Sequence, residues 1–412
     1  MITRGSTSSV RWWMSRATWV VITFSGPGRR GMRRGSMCRR APPVALARSH
    51  PGGQLGPRSP PCNQGVTPSM ITAAESQPVH LAVLAGDPRL PYDYGVDGRF
   101  GESEVEAVRQ ARVALETLGG YRVEVLDDHD RLFDRLREAP PDLALNFCDT
   151  GYRNQLRHEQ NVPALLELLE IPYTGATPAC MSICGDKALV RLLAASHGIP
   201  VPNETFVDLT ADPMVLPELY PALIKPNAGC GSQGVTPDSV VHDAQQARAC
   251  LEQLALEPER PQALIQDFLT GAEYTLGLVG NPETGFTVLP LLEIDYSRLP
   301  ADLPPILSYG SKVDPNSAYW QSLRFKPAEL APEHQAAMVE HSVFLFERLG
   351  FRDYARFDYR CGVDGVPRLL DANFNPTWSY DGKMAIMAGW AGYEYADLLA
   401  LLLDTARRRY GI

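Results

Sequence analysis

The sequence predicts an α/β protein, with an N-terminal parallel-sheet lobe followed by middle and C-terminal lobes of the α+β kind. Three observations carry this reading. Residues 80–147 alternate strand, helix, strand, helix, strand, an order that builds a parallel sheet covered by helices. Residues 221–235 run from an apolar strand into a turn with glycines at 229, 231 and 234. Residues 354–374 hold two strands of alternating pattern joined by a CGVDG turn, the signature of a hairpin.

In chain order, HLAVLA (80–85) is a short apolar run suited to a buried strand. ESEVEAVRQARVALETLGG reads as an amphipathic helix closed by Gly119 and Gly120. YRVEVL and DLALNF repeat the strand signal around a helical DRLFDRLREA. VPALLELLE and IPYTG close this lobe near residue 176. A helix is predicted over 186–197, stopped by Gly198 and Pro200. PALIKP, QALIQDFL, AEYTLGLVG and FTVLPLLEI read as strands, and 295–325 as a long functional loop. Residues 332–349 form a further helix. The resulting division is a leader at 1–77, an N-terminal lobe at 78–176, a central lobe at 177–270 and a C-terminal lobe at 271–412.

Composition narrows the function classes. With 412 residues, 44% of them hydrophobic and 21% charged, the chain is globular and exceeds one minimal core. No apolar run approaches the roughly 18–20 uncharged residues of a membrane span. Residues 1–69 contain eleven Arg and no Lys, Asp or Glu, so a net charge of −9 leaves −20 on the remainder. So acidic a body repels nucleic acid and anionic membrane, and neither is expected as a partner. The leader is read as disordered or mis-assigned, with Met70 as the true start; its Arg- and Ser-rich composition also fits an organellar transit peptide. Eight scattered cysteines, none in a C-x-x-C pair, fit buried thiols in a reducing compartment, hence a cytoplasmic protein. The oligomeric state is left open, a homodimer included.

Chemistry concentrates in two places. Lys225 ends a strand and precedes the Gly-rich turn; small residues let backbone N–H groups approach phosphate oxygens, and the lysine supplies charge. Neither a GxxxxGK[ST] loop nor a strand-associated GxGxxG is present. Asp371 and Asn373, two apart on a strand, share one face, and Asp358 can lie opposite them. Two carboxylates and an amide oxygen suit Mg²⁺ held jointly with nucleotide phosphates. Their apolar neighbours Phe357, Leu369, Leu370, Ala372 and Phe374 argue against a merely solvated acidic face.

The segments ELLEIPYTGATPACMSICGDKALVRLLAASHGIPVP, PALIKPNAGCGSQGV, QDFLTGAEYTLGLVG, ARFDYR and LLDANFNP, in this order, resemble ATP-grasp ligases, nearest to D-alanine–D-alanine ligases, across roughly residues 78–400. The resemblance implies ATP and Mg²⁺ (or Mn²⁺) as cofactors. It implies that Lys187 and Lys225 contact the α- and β-phosphates, and that Ser232 and Gly234 belong to the loop covering them. Gln266 takes the place of an adenine-facing Glu, Glu273 matches a ribose-binding Glu, and Lys312 a γ-phosphate Lys. Asp358, Asp371 and Asn373 match metal ligands, Asp371 replacing a Glu, and Arg356 matches the catalytic Arg that stabilises the tetrahedral oxyanion. Glu102 and Glu159 are candidates for the first substrate, Glu159 having a helix-dipole role as its bland alternative and Glu102 a solvated helix start.

The implied reaction joins a carboxylate to an amine through an acyl phosphate, on amino-acid-like substrates. Two alternatives are D-alanine–D-alanine ligase itself and a catalytically dead nucleotide-binding protein. The chain departs from the family's substrate pattern at three points. Gly231 stands where a loop Ser is usual, and Val313 follows Lys312 in place of Tyr. NPTWSYDGK brings Asp381 and Lys383 near the acceptor, Lys383 as reader of a carboxylate and Asp381 of an amine.

Overall fold

The computed structural model describes residues 21–22, 77–92, 95, 98–211, 214–229, 231–256 and 261–412. A two-residue strand, β1 (Val21–Ile22), pairs antiparallel with Phe286 and Thr287; the rest of the leader lies outside the described residues. The N-terminal lobe follows as β2 (Val79–Leu84), α1 (Glu102–Thr117), β3 (Tyr121–Leu126), α2 (Leu132–Glu138), β4 (Leu143–Asn146) and α3 (Asn161–Leu168). Its sheet is parallel, in the order β3-β2-β4. Alternation along β2 explains the two layers. Leu81 and Val83 pack with Ala111 and Leu115 of α1, while Ala82 and Leu84 pack with Leu132 and Leu136 of α2 and Leu166 of α3.

Helices α4 (Pro178–Cys184) and α5 (Lys187–Ser196) lead into the central lobe. Thr177 and Asp186 cap them, accepting from the backbone N–H of Cys180 and Leu189. An antiparallel sheet then forms from β5 (Glu204–Asp208), β6 (Ala222–Pro226), β7 (Val240–Val241) and β8 (Gln262–Asp267), in the order β5-β8-β6-β7, with α6 (Ala244–Ala255) packed on it. Strand β5 has no counterpart in the sequence reading: ETFVD leaves Thr205 and Phe206 exposed, which weakens its apolar signature.

The C-terminal lobe contains β9 (Glu273–Asn281), β10 (Gly285–Val288), β11 (Leu292–Asp295), α7 (Gly310–Val313), α8 (Ala318–Ser322), β12 (Arg324–Pro327), α9 (Pro332–Leu349), β13 (Tyr354–Cys361), β14 (Pro367–Asn373), α10 (Lys383–Trp390) and α11 (Tyr395–Tyr410). FTVLPLLEI is two strands, because Pro290 has no N–H to give a ladder. The expected loop at 295–325 also carries structure. Ser317 accepts from Trp320 N–H to start α8, and β12 pairs with β11. Strand β13 lies between β9 and β14, and its Phe357 and Tyr359 are fully buried against α9 through Phe346 and Val343. Among the described residues no helix is long and apolar enough to cross a membrane.

Candidate active site

Three backbone features build the site. The first is strand register: Asp358 on β13 pairs with Asp371 on β14 and with Thr275 on β9, and Arg356 pairs with Asn373. Period-2 alternation sets Arg356 with Asp358 and Asp371 with Asn373, and a β-bulge between Asp358 and Tyr359 shifts the register so that both pairs share one face. The second is the Gly-rich turn after β6. Gly234 has φ +72°, and a Cβ there would lie 2.7 Å from Pro226 Cγ, so no larger residue fits. Third, α7 in the 295–325 segment carries Lys312 to the same cleft. Lys187, Lys225, Ser232, Glu273 and Lys312 line this cleft together with the β13–β14 residues.

Hydrogen bonds join these parts. Lys187 Nζ donates to the Gly229 carbonyl over 2.6 Å and lies 3.5 Å from Asp371 Oδ2. Lys312 Nζ donates to Ser232 Oγ over 2.8 Å. Lys225 is 8% exposed, and burial pushes its ammonium down to about 8. Burial, then the nearby Lys383 and Arg356, push Lys312 down to about 8 as well. These cations crowd one another without a full complement of anions, as in a site shaped for a polyanion.

Asp358 is heavily engaged. Its Oδ1 accepts from Thr275 Oγ1 at 2.7 Å and lies 3.9 Å from Lys383 Nζ. Its Oδ2 accepts from Arg356 Nη2 at 3.1 Å and Asn373 Nδ2 at 3.0 Å. Burial opposes ionisation here, yet Arg356, Lys383 and the Thr275 hydroxyl together hold the carboxyl well below the usual range. Asp371 is freer: its Oδ1 accepts from the Ala372 N–H at 3.0 Å and its Oδ2 lies 3.5 Å from Lys187 Nζ. The amide nitrogen of Asn373 faces Asp358 and the Arg356 carbonyl, which turns its oxygen the other way. Asp371 and the Asn373 oxygen are thus hard donors that fit a divalent cation. Among the described residues no group of three His, Cys, Asp or Glu could hold a metal, so the remaining ligands would have to be phosphate and water.

At the other end of the cleft, Glu273 is tied down, accepting from Tyr296 OH at 2.8 Å and Arg360 Nη1 at 3.2 Å. Gln266 is 2% exposed. Its Nε2 donates to Glu204, whose carboxylate also pairs with Arg191, while its buried Oε1 has no partner.

The substrate candidates divide. Glu159 is buried and accepts from Asn375 Nδ2 at 3.1 Å; burial and the neighbouring Asp149 raise its carboxyl well above the ordinary value. Lys383, the first residue of α10, turns inward, donating to Thr275 Oγ1 at 3.2 Å. Asp381 is exposed, so the two side chains point apart. Glu102 is exposed at the start of α1, the solvated position expected as its bland alternative. Glu104, absent from the sequence reading, is less exposed than Glu102 and accepts from the Ser103 hydroxyl at 2.9 Å; its charge is felt at Asp149 and Tyr309. The helix phase would have found it, since Glu104 lies three and seven residues before the buried Ala107 and Ala111. Asp149 was also missed; it accepts from Thr377 Oγ1 at 3.1 Å, and burial pushes it up to about 6.

A central and a C-terminal lobe closing on a Gly-rich turn, three lysines and a carboxylate–amide pair define the ATP-grasp fold, and the chain resembles D-alanine–D-alanine ligases. Residues 202–404 match the family model described as D-ala D-ala ligase C-terminus. The chain is 28% identical over 336 residues to the uncharacterized protein y4sG of Sinorhizobium fredii, covering 77% of this chain and 94% of that one. It is 27% identical to a D-alanine–D-alanine ligase of Pelotomaculum thermopropionicum, covering 76% and 96%. The fold is shared with the crystal structure of D-alanine–D-alanine ligase from Bacillus anthracis complexed with ATP, at a TM-score of 0.60 and 21% identity, over 80% of this chain and 98% of that one.

Proposed function

We propose that the protein is an ATP-dependent carboxylate–amine ligase that forms an amide or peptide bond between amino-acid-like substrates through an acyl phosphate. The observation that carries this reading is the convergence of Lys187, Lys225 and Lys312, from three separate elements, on one cleft with Arg356 and Asp371. Such a set neutralises a triphosphate and then a transferring phosphoryl group.

In this reading Lys187 and Lys225 hold the α- and β-phosphates and Lys312 the γ-phosphate. Ser232, already bonded to Lys312, couples the Gly-rich turn to that lysine, so phosphate binding closes both over the reacting atoms. The unpartnered Gln266 Oε1 accepts from the adenine amine, and Glu273 is the nearest carboxylate for the ribose. Mg²⁺ or Mn²⁺, held by Asp371 and Asn373 beside Asp358, would supply charge neutralisation on the phosphates. The donor carboxylate attacks the γ-phosphorus and ADP leaves. The amine of the second substrate then attacks the acyl carbon, and phosphate leaves from a tetrahedral intermediate whose oxyanion Arg356 faces. Acyl phosphates hydrolyse readily, so closure of the turn and α7 must exclude water. Glu104, Asp149 and Glu159 are the groups to receive a substrate ammonium.

An ADP-release assay over a panel of amino acids and dipeptides, with mass detection of product, tests the proposal. Amino-acid-dependent ADP formation with a condensed product supports it. Nucleotide binding without turnover on any member would favour the non-catalytic alternative. D-alanine–D-alanine ligase is the second reading, favoured by the names of the relatives. Against it stand Gly231 and Val313, which remove two side chains able to hydrogen-bond over a first D-alanine.

A further inference from the structure

Asp358 lies on β13 between β9 and β14, and four side chains crowd its carboxylate. An ionised carboxylate has about four lone-pair directions, and here Thr275, Lys383, Arg356 and Asn373 approach its two oxygens from 2.7 to 3.9 Å. One of those partners comes from outside the sheet. Lys383 opens α10, and its first turn brings the ammonium back over β9 to the Thr275 hydroxyl and Asp358. The side chain of Lys383 is 12% exposed and its ammonium lies 5.8 Å from the centre of the Phe325 ring, so the cation is held from several sides. Asp371, directly across the ladder, has among the described residues one cation in ion-pair reach, Lys187 at 3.5 Å.

We propose that Lys383 is a resident cation that takes the place of one divalent metal at Asp358, so that the nucleotide complex carries a single divalent cation, held by Asp371 and Asn373. The sequence resemblance implies three metal ligands, a set large enough for two ions; the structure divides that set. Asp358 is neutralised by Lys383 and Arg356, and Asp371 with the Asn373 oxygen remains open. Charge points the same way. Lys187, Lys225, Lys312, Lys383, Arg356 and Arg360 face Glu273, Asp358 and Asp371, an excess of three positive charges. ATP brings about four negative charges, so one divalent cation already carries the balance past neutrality, and a second would enter a positive field. Lys383 would then sit beside the γ-phosphate as a fixed charge that costs no reorganisation on each turnover.

This inference rests on the ATP-dependent reading of the cleft, and one titration separates the two. The full chain is titrated with Mn²⁺ in the presence of a non-hydrolysable ATP analogue, and bound Mn²⁺ is counted by electron paramagnetic resonance. Analogue binding is followed independently by competition with a fluorescent nucleotide. The expected result is one tight Mn²⁺ per chain in the parent, two in Lys383→Met, and one in Lys383→Arg, which keeps the charge. Thermal unfolding checks that each variant is folded, and Lys383→Arg supplies the reading if the Met variant is not. Two Mn²⁺ in the parent, or two in Lys383→Arg, overturns the proposal while leaving nucleotide binding standing. Failure of the analogue to bind at any metal concentration overturns both.

Discussion

Lys312 Nζ and Ser232 Oγ, eighty residues apart in the chain, are 2.8 Å apart in the structure. This contact ties the Gly-rich turn of the central lobe to α7 of the C-terminal lobe, so the two segments that the proposed reading sets over a nucleotide are already joined. Ser232 adopts φ +66° to make it, a left-handed backbone conformation that non-glycine residues enter at some cost. Ser232→Ala should keep the fold and weaken nucleotide binding by about 3- to 10-fold, the loss of one hydrogen bond to a charged group. Isothermal titration with an ATP analogue measures this, and unchanged affinity would mean that the contact is incidental.

The buried lysine of β6 gives a pH signature. Lys225 titrates near 8 in the fold and near 10.5 when exposed, so between these values the unfolded chain binds more protons. The penalty for burying its charge is therefore full below about pH 8 and is relieved as pH rises towards 10.5. Phosphate binding runs the opposite way, because the neutral amine gives no charge to the nucleotide. Affinity for an ATP analogue should fall between pH 8 and 9.5 while the unliganded protein loses no stability from this residue. A flat affinity across that window, measured at constant ionic strength, contradicts the assignment.

Asp371 is more open than Asp358 across the ladder. Asp371→Asn should lower turnover by about 100-fold or more, since it removes charge neutralisation from the phosphoryl-transfer step, with little change in melting temperature. Asp371→Glu should retain substantial activity, as the longer side chain restores the residue usual in similar ligases. Parental kinetics in both variants would remove Asp371 from the site.

Two neighbouring glutamates on α1 offer an internal control. Glu104→Gln should raise the KM for an amine-bearing substrate by about 10-fold or more, because a site built for a charged partner is left mismatched. Glu102→Gln, two residues away and exposed, should be kinetically silent. The reverse pattern would restore the residue that the sequence alone suggested.

The pair at Asp149 and Glu159 makes a prediction for stability. Burial raises both carboxyls, Asp149 to about 6, so the folded state holds protons that the unfolded chain has released. Stability from these groups is present at acid pH and is lost as pH rises through about 6. Asp149→Asn should therefore raise the melting temperature at pH 7.5 more than at pH 5. An equal shift at both pH values would mean that the carboxyl is solvated.

Much of this architecture was legible because strand periodicity is short-range. Alternation makes each of β13 and β14 readable as a strand, but their mutual register is not: a β-bulge between Asp358 and Tyr359 shifts the pairing by one residue, and that shift brings Asp358 opposite Asp371 instead of Leu370. Placements that depend on the path of a connection were less readable. Nothing in NPTWSYDGK shows that the chain reverses at Gly382, sending Lys383 inward and leaving Asp381 outside. Asp149 lies just past a strand end, and its hydrogen-bond partner Thr377 comes from a segment 228 residues away. Glu104 is different: its helix phase is readable, three and seven residues before the buried Ala107 and Ala111. The positions of Gly231 and Val313 speak only to substrate, and a missing side chain does not name what replaces it.

The proposed ligation spends ATP on a substrate carboxylate, and the fate of that carboxylate's oxygen reports it. The amino-acid donor identified in the panel is prepared with ¹⁸O in its carboxylate and turned over with ATP and acceptor, and the released phosphate is examined by mass spectrometry. Ligation through an acyl phosphate predicts one ¹⁸O atom transferred to phosphate for each amide bond formed. Phosphate free of label, with ATP cleaved at the same rate, would show that water rather than the substrate carboxylate attacks the nucleotide, and would contradict the account.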